Sequence, residues 1–222
     1  MVSARVVIGV AALTTTLLLA WEVSRRSADH VVAAGFWFDA VTFEAPALDA
    51  TRGGPLSASE RTTVESLARA ELAAAFAGLR LDVTSSRTAH YRVRVVQAFP
   101  PRQAIRGMAV AESRGLGAFG GEGAVDFATL AALAVRFAPP GTLRADLVAA
   151  IGRGIGRVAA HELAHQILPR GDLHATTDVA SYDFGAIDRP GQFYGPMQWD
   201  LAGPRLREVL GPRVAAVPGA RR

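Results

Sequence analysis

HELAHQILPRGDLH, residues 161–174, decides how the second half of the chain folds, and it holds three of the five histidines. Around it Val158, Ala159, Ala160, Leu163, Ala164 and Ile167 are uncharged, as expected of a helix embedded in a core. A solvent-exposed helix would place Arg or Glu among them. Pro169 has no amide hydrogen and cannot continue a helix, so this one is expected to stop at Leu168. Upstream, APPGT (138–142) breaks the chain. Thr142 is the expected N-cap, and Asp146 falls in the first turn, where the helix dipole favours an anion. The helix contains Gly152, Gly154 and Gly156, each about 1 kcal/mol less favourable than Ala. Packing rather than propensity must hold such a helix, and the missing side chains let a neighbouring backbone come close.

His161 and His165 are spaced i, i+4, which puts both on one helix face, roughly 5–6 Å apart at Cβ. Both imidazoles reach one metal ion. Glu162 is offset by one residue and reaches a water on that ion rather than the ion itself. Zinc held at about 2.0–2.1 Å by imidazole nitrogen lowers the pKa of its bound water toward 7. A carboxylate beside it takes the proton and passes it to a leaving amine. This is the H-E-x-x-H spacing of zinc metalloproteases. A catalytic zinc takes three protein ligands and keeps one position open. After Pro169 the RGDL turn lets His174 fold back as the expected third ligand, with Asp178 and Asp172 as alternatives. The bland alternative for the whole motif is a pair of core histidines satisfied by backbone or carboxylate partners.

Toward the N-terminus, GAVDFATLAALAV (123–135) is expected to hold a strand, as is GMAVAES (107–113). Between them lies the Gly-rich RGLGAFGGEG. With no Lys in the chain it is not a phosphate-cradling P-loop, and it reads as a turn beside an edge strand. HYRVRVVQAF (90–99) alternates strictly, with Tyr91, Val93 and Val95 on one face and Arg92 and Arg94 on the other, the pattern of a half-buried strand. LRLDVTSS (79–86) is a short strand. Ser57 and Glu60 have capping-box spacing and open a helix whose apolar face is Val64, Leu67, Leu72, Phe76 and Leu79. GFWFDAVTFEA (35–45) alternates around Phe36, Phe38, Val41 and Phe43 and is expected to be a strand. Strand, helix, strand in this order implies a parallel pair.

The chain has 222 residues, half of them hydrophobic, enough for one good-sized core and too apolar for a disordered chain. There is no cysteine, which excludes disulfides and thiolate metal sites, so any metal must be held by His, Asp or Glu. The net charge of +4 is carried by Arg alone, without a basic run interleaved with aromatics, which argues against a nucleic-acid partner. MVSARVVIGVAALTTTLLLAWEVSRR (1–26) carries an apolar run from Val6 to Trp21 between Arg5 and Arg25. It is expected to be a signal peptide or a membrane anchor, giving an extracytoplasmic protein, secreted or held on the cytoplasmic membrane. Residues 30–215 then form the main domain and 216–222 a loose tail. His30 and His90 read as surface or satisfied histidines, and Arg205, Arg207 and Arg213 as a solvated face.

The motif at 161–165 resembles that of the metzincin clan of zinc peptidases, H-E-x-x-H-x-x-G-x-x-H followed by a methionine-containing turn. His161, Glu162 and His165 match. His174 lies three residues beyond the clan's third ligand, and Leu168 stands where the clan has Gly. FYGPMQWD (193–200) supplies Met197 for the Met-turn. Some clan members place a Tyr near the metal two residues after that Met; here Trp199 stands there, and Tyr194 and Tyr182 are the alternatives. The order strand, helix, several strands with a Gly-rich edge is also similar. The resemblance implies an α+β, zincin-like fold with a mixed twisted sheet, a backing helix and a buried active-site helix, to which the apolar run at 6–21 adds an N-terminal hydrophobic helix. It implies zinc on His161, His165 and His174, Glu162 as general base, and a peptide or protein substrate.

DVASYDFGAIDRPGQFYGPM (178–197) has the aromatic and Gly content of a specificity loop, and equally of ordinary loop packing. Arg189 in it suits a substrate carboxylate, or an ion pair with Asp183 or Asp188. Two rival readings stand beside the peptidase. One is a zincin of another type with Glu208 as third ligand. The other is a tethered, non-catalytic binding or assembly module braced by a structural zinc.

Overall fold

The computed structural model describes residues 31–51, 53–99, 111–115, 120–168, 173–174, 180–183 and 189–213. The N-terminal apolar segment, His30, Asp172, Asp178, Asp188 and the tail 216–222 lie outside them. The unit Val32–Arg222 is a mixed α+β structure. Strands β1 (Val32–Phe38), β2 (Leu81–Thr84), β3 (Tyr91–Val96), β4 (Ala111–Gly115) and β5 (Gly121–Asp126) form one sheet. The helices are α1 (Pro46–Thr51), α2 (Ala58–Ala75), α3 (Phe127–Arg136), α4 (Arg144–Ile167) and α5 (Ala202–Leu210). Among the described residues no helix is long and apolar enough to cross a membrane.

The sheet order is β2-β1-β3-β5-β4. All neighbours are parallel except β4, which runs antiparallel to β5. The expected parallel pair around the first long helix is β1 and β2, in register Val32 to Leu81. In β3 the alternation read from sequence is the alternation of burial: Tyr91, Val93 and Val95 face the core, while Arg94 is exposed and pairs with Asp39 at 3.0 Å. α2 begins with the expected capping box. Ser57 Oγ accepts from the Glu60 amide, and the Glu60 carboxylate accepts from the Ser57 amide at 2.8 Å.

Two local expectations are corrected and one is met only in part. The strand expected through Phe43 ends at Phe38, because Ala40 and Phe43 take positive φ values of 52° and 61° and turn the chain. Phe43 still enters the core, stacking on Phe38 and meeting Phe127 edge-on, so the apolar alternation outlasts the strand. GAVDFATLAALAV does hold the expected strand, but only as far as Asp126, and the rest is helix. β5 stops at Asp126, whose carboxylate accepts from the Thr129 amide at 2.8 Å and caps α3. A continuous apolar run has no periodicity to separate the two. Finally, Thr142 does not cap α4. Its hydroxyl donates to the Pro139 carbonyl at 2.6 Å and closes the preceding turn, leaving Leu143 as the cap residue.

α4 is the centre of the core. It packs against α2 and across β3, β4 and β5. The glycines set that approach. A β-carbon on Gly156 would stand 2.4 Å from the Ala68 carbonyl oxygen, and one on Gly152 would stand 2.9 Å from that of Val64. α2 therefore lies on α4 backbone to backbone, a contact any larger residue would push apart. Two side-chain bridges fix the last turns of α4 on the sheet. Gln166, fully buried, accepts from the Arg92 amide at 3.1 Å and donates to the Arg92 carbonyl at 3.0 Å. Ser113 on β4 donates to the Glu162 carbonyl at 3.0 Å.

Candidate metal centre

α4 runs to Ile167 with its backbone intact, so His161 and His165 share one face. His174 comes back to them from beyond the helix end. Its φ of 66° lies in the left-handed region, which His adopts more readily than most side chains, and its amide donates to the Asp183 carbonyl at 3.1 Å. The three rings converge. Nε2 of His165 stands 3.1 Å from Nε2 of His161 and 2.9 Å from Nε2 of His174. These separations are close to the roughly 3.3 Å edge of a tetrahedron whose ligand bonds are about 2.0–2.1 Å. Among the described residues this is the only group of three His, Asp or Glu gathered closely enough to hold an ion.

The protonation pattern also suits an ion. Nδ1 of His161 lies 2.6 Å from the Tyr182 carbonyl oxygen. A carbonyl only accepts, so Nδ1 carries the proton and Nε2 keeps its lone pair. Burial pushes His161 down to about 4, against a smaller opposing effect of that hydrogen bond. Burial, and then the neighbouring His174, likewise push His165 down to about 4. Both rings are neutral at pH 7, as metal ligands must be. Three imidazoles without thiolate suit zinc and the neighbouring first-row ions. The cluster is graded in exposure: His161 is buried, His165 half-buried and His174 exposed, so it opens on the His174 side.

Glu162 follows His161 on α4 and is 9% exposed. The other residues singled out from sequence lie at several places in the fold. Tyr182 is at the centre, but through its backbone: its carbonyl orients His161, while its hydroxyl donates to Glu71 at 3.0 Å. Met197 is half-buried, one residue before Gln198, whose backbone pairs with Ala180 and Tyr182. Trp199 packs its ring on Tyr182 and donates its indole N–H to the Ala75 carbonyl. Tyr194 donates its hydroxyl to the Ala134 carbonyl on α3 at 2.8 Å. Arg189 is exposed at the start of a short 3-10 turn, Pro190–Gln192. Glu208 pairs with Arg205 on the exposed side of α5 and is not in the histidine group.

Sequence reasoning singled out Tyr182 for its ring and hydroxyl and Asp183 only as a partner for Arg189, and missed what the backbone of Tyr182 and Asp183 and the Asp183 carboxylate do. Asp183 is fully buried, and its carboxylate accepts from the amides of Asp200, Leu201 and Ala202 at 2.8–3.1 Å and from Ser181 Oγ at 3.0 Å. It thus caps α5, and its own carbonyl holds His174. Arg157 and Glu71 were missed as well. The available signal was Arg157, one turn before His161 and next to the uncharged run Val158, Ala159 and Ala160.

No family model, curated protein or solved structure matches this chain.

Proposed function

We propose that this chain is a zinc-dependent peptidase of a metzincin-like kind, exported or anchored in a membrane by its N-terminal apolar segment. One observation carries the reading: three Nε2 atoms converge, and the buried ring among them has its other nitrogen occupied by a backbone carbonyl. His161, His165 and His174 would hold the ion. A zinc ion in that set supplies Lewis acidity toward a carbonyl oxygen and acidifies a water molecule. Glu162, on the same helical turn as His161, takes a proton from the attacking water. It returns that proton to the amine as the peptide C–N bond breaks, so the carboxylate ends as it began. Access from the His174 side supports a catalytic role over a structural one. A catalytic zinc keeps one position open, and the exposed His174 side is where that position would lie.

The test is Glu162→Gln assayed against a mixed peptide library, with zinc content measured alongside. An enzyme of this kind loses peptide hydrolysis by about 100-fold or more while keeping its zinc. Wild type that carries zinc but cleaves nothing would favour the binding-module alternative.

A further inference from the structure

α2 contributes no ligand to the histidine cluster, yet it reaches the cluster in two steps. Glu71 on α2 accepts two hydrogen bonds at the same oxygen, Oε1. One comes from Arg157 Nε at 2.9 Å and one from the Tyr182 hydroxyl at 3.0 Å. Tyr182 in turn presents its carbonyl to Nδ1 of His161 at 2.6 Å. Arg157 is 3% exposed and also donates from Nη1 and Nη2 to the carbonyls of Gly191 and Gly195 at 2.9 and 2.6 Å. It lies one turn before His161 on the same face of α4. Arg157 and His161 are therefore held by one helix, and Glu71 ties both to the segment that orients the ligand.

We infer that Glu71 is a positioning residue of the metal centre, acting through Tyr182 on His161. The inference rests on the zinc reading above and extends it to a helix outside the ligand set. Three features make Glu71 more than a partner for a buried arginine. The carboxylate is shared, so moving it moves the tyrosine. Tyr182 is also held at its amide by the Gln198 carbonyl at 2.9 Å, so its carbonyl direction follows from two fixed points on either side of its Cα. Glu71 is placed by the absence of a side chain opposite it: a β-carbon on Gly156 would stand 2.7 Å from the Glu71 Cβ. The close contact of α2 and α4 is thereby converted into the aim of an imidazole. Outer partners of ligating histidines commonly change metal affinity 10–100-fold when removed, and a partner one bond further out acts more weakly. The cleft of about 430 Å³ that Glu71 lines with Tyr182, Met197 and Trp199 gives substituted side chains room without opening the core.

The experiment measures the zinc dissociation constant by competition with a chromophoric chelator. It uses the full chain as wild type, Glu71→Ala, Glu71→Gln, Tyr182→Phe and the Glu71→Ala/Tyr182→Phe double variant. Thermal unfolding of each metal-free protein and the exchange rate of the His161 Nδ1 proton by NMR accompany it. Glu71→Ala and Tyr182→Phe should each weaken zinc about 3- to 10-fold. The double variant should lose no more than the worse single one, since both cut the same link. Glu71→Gln keeps an acceptor oxygen and should recover most of the affinity. The His161 Nδ1 proton should exchange faster in the metal-free Tyr182→Phe protein. If Glu71→Ala does not fold, Tyr182→Phe carries the test, because it retains the ring against Trp199. Wild-type affinity in Tyr182→Phe, or additive losses in the double variant, would overturn the inference alone. A wild-type chain that binds no zinc would overturn the peptidase reading and this inference with it.

Discussion

Nδ1 of His161 stands 2.6 Å from the carbonyl oxygen of Tyr182, a residue separated from it by 21 positions along the chain. That contact settles which ring nitrogen bears hydrogen and leaves Nε2 aimed at His165 and His174. The neighbouring carbonyl, of Asp183, receives the amide of His174. Two consecutive backbone carbonyls therefore organise two of the three imidazoles.

His161→Ala and His174→Ala are expected to differ although both remove a ligand. Wild type should carry about one zinc per chain and each variant far less. The metal-free His161→Ala protein should also lose about 1–3 kcal/mol, because the Tyr182 carbonyl is left buried without a donor. His174 is exposed, and its replacement should leave metal-free stability within about 1 kcal/mol. Zinc analysis and urea unfolding after chelation decide this. Zinc held by His174→Ala as tightly as by wild type would remove that residue from the ligand set.

Gly156→Ala tests the contact between α2 and α4. Alanine is favoured over glycine in a helix by about 1 kcal/mol. Against that, the new methyl group would meet a backbone oxygen at 2.4 Å, and backbone yields less readily than a side chain. Overpacking typically destabilises by about 1–3 kcal/mol, and a clash with backbone falls in the upper part of that range, so after the helix gain a net loss of about 1–2 kcal/mol is expected in urea titrations. A variant as stable as wild type would show that the helices part without strain.

Asp183→Ala removes the acceptor for three backbone amides at the start of α5 and for Ser181. Donors buried without a partner and the loss of a cap together predict a destabilisation of about 2–4 kcal/mol. Asp183→Asn keeps one acceptor oxygen and should fall between. Chemical denaturation of the three proteins orders them; an alanine variant within about 0.5 kcal/mol of wild type would contradict the capping role.

Acid should weaken the junction between α2 and the start of α4. The Arg144 guanidinium, hydrogen-bonded to Glu60 at 2.6 Å, holds that carboxyl down to about 2 from an ordinary 4.5, with the Ser57 capping bonds helping. A carboxyl depressed by folding stabilises the native state fully above its ordinary value and ceases to do so as pH falls through the folded one. The stability advantage of wild type over Glu60→Gln should be constant above about pH 4.5 and shrink toward pH 2. Parallel melting curves across that window measure it, and an advantage unchanged at pH 2 would exclude the pairing as its source.

Local spacing made part of this protein legible. The i, i+4 histidines, the capping box at Ser57 and Glu60, and the alternation of Tyr91, Val93 and Val95 are written in side chains within a few residues of one another. The structure has a helix, a cap and a half-buried strand at those places. Where an apolar pattern outran its element, as at Phe43 and after Asp126, the pattern recorded burial and not backbone shape. The order of the strands and the seating of Gln166 on Arg92 depend on which distant segments pair, which no short window contains. The orienting role of Tyr182 and Asp183 was hidden for a further reason: it is played by carbonyl groups, and every residue has one. The amino-acid sequence by itself determined that three imidazoles and a carboxylate lie close along the chain. Only the tertiary structure decided which nitrogen of His161 faces the cluster, because that choice belongs to a hydrogen bond made across the fold.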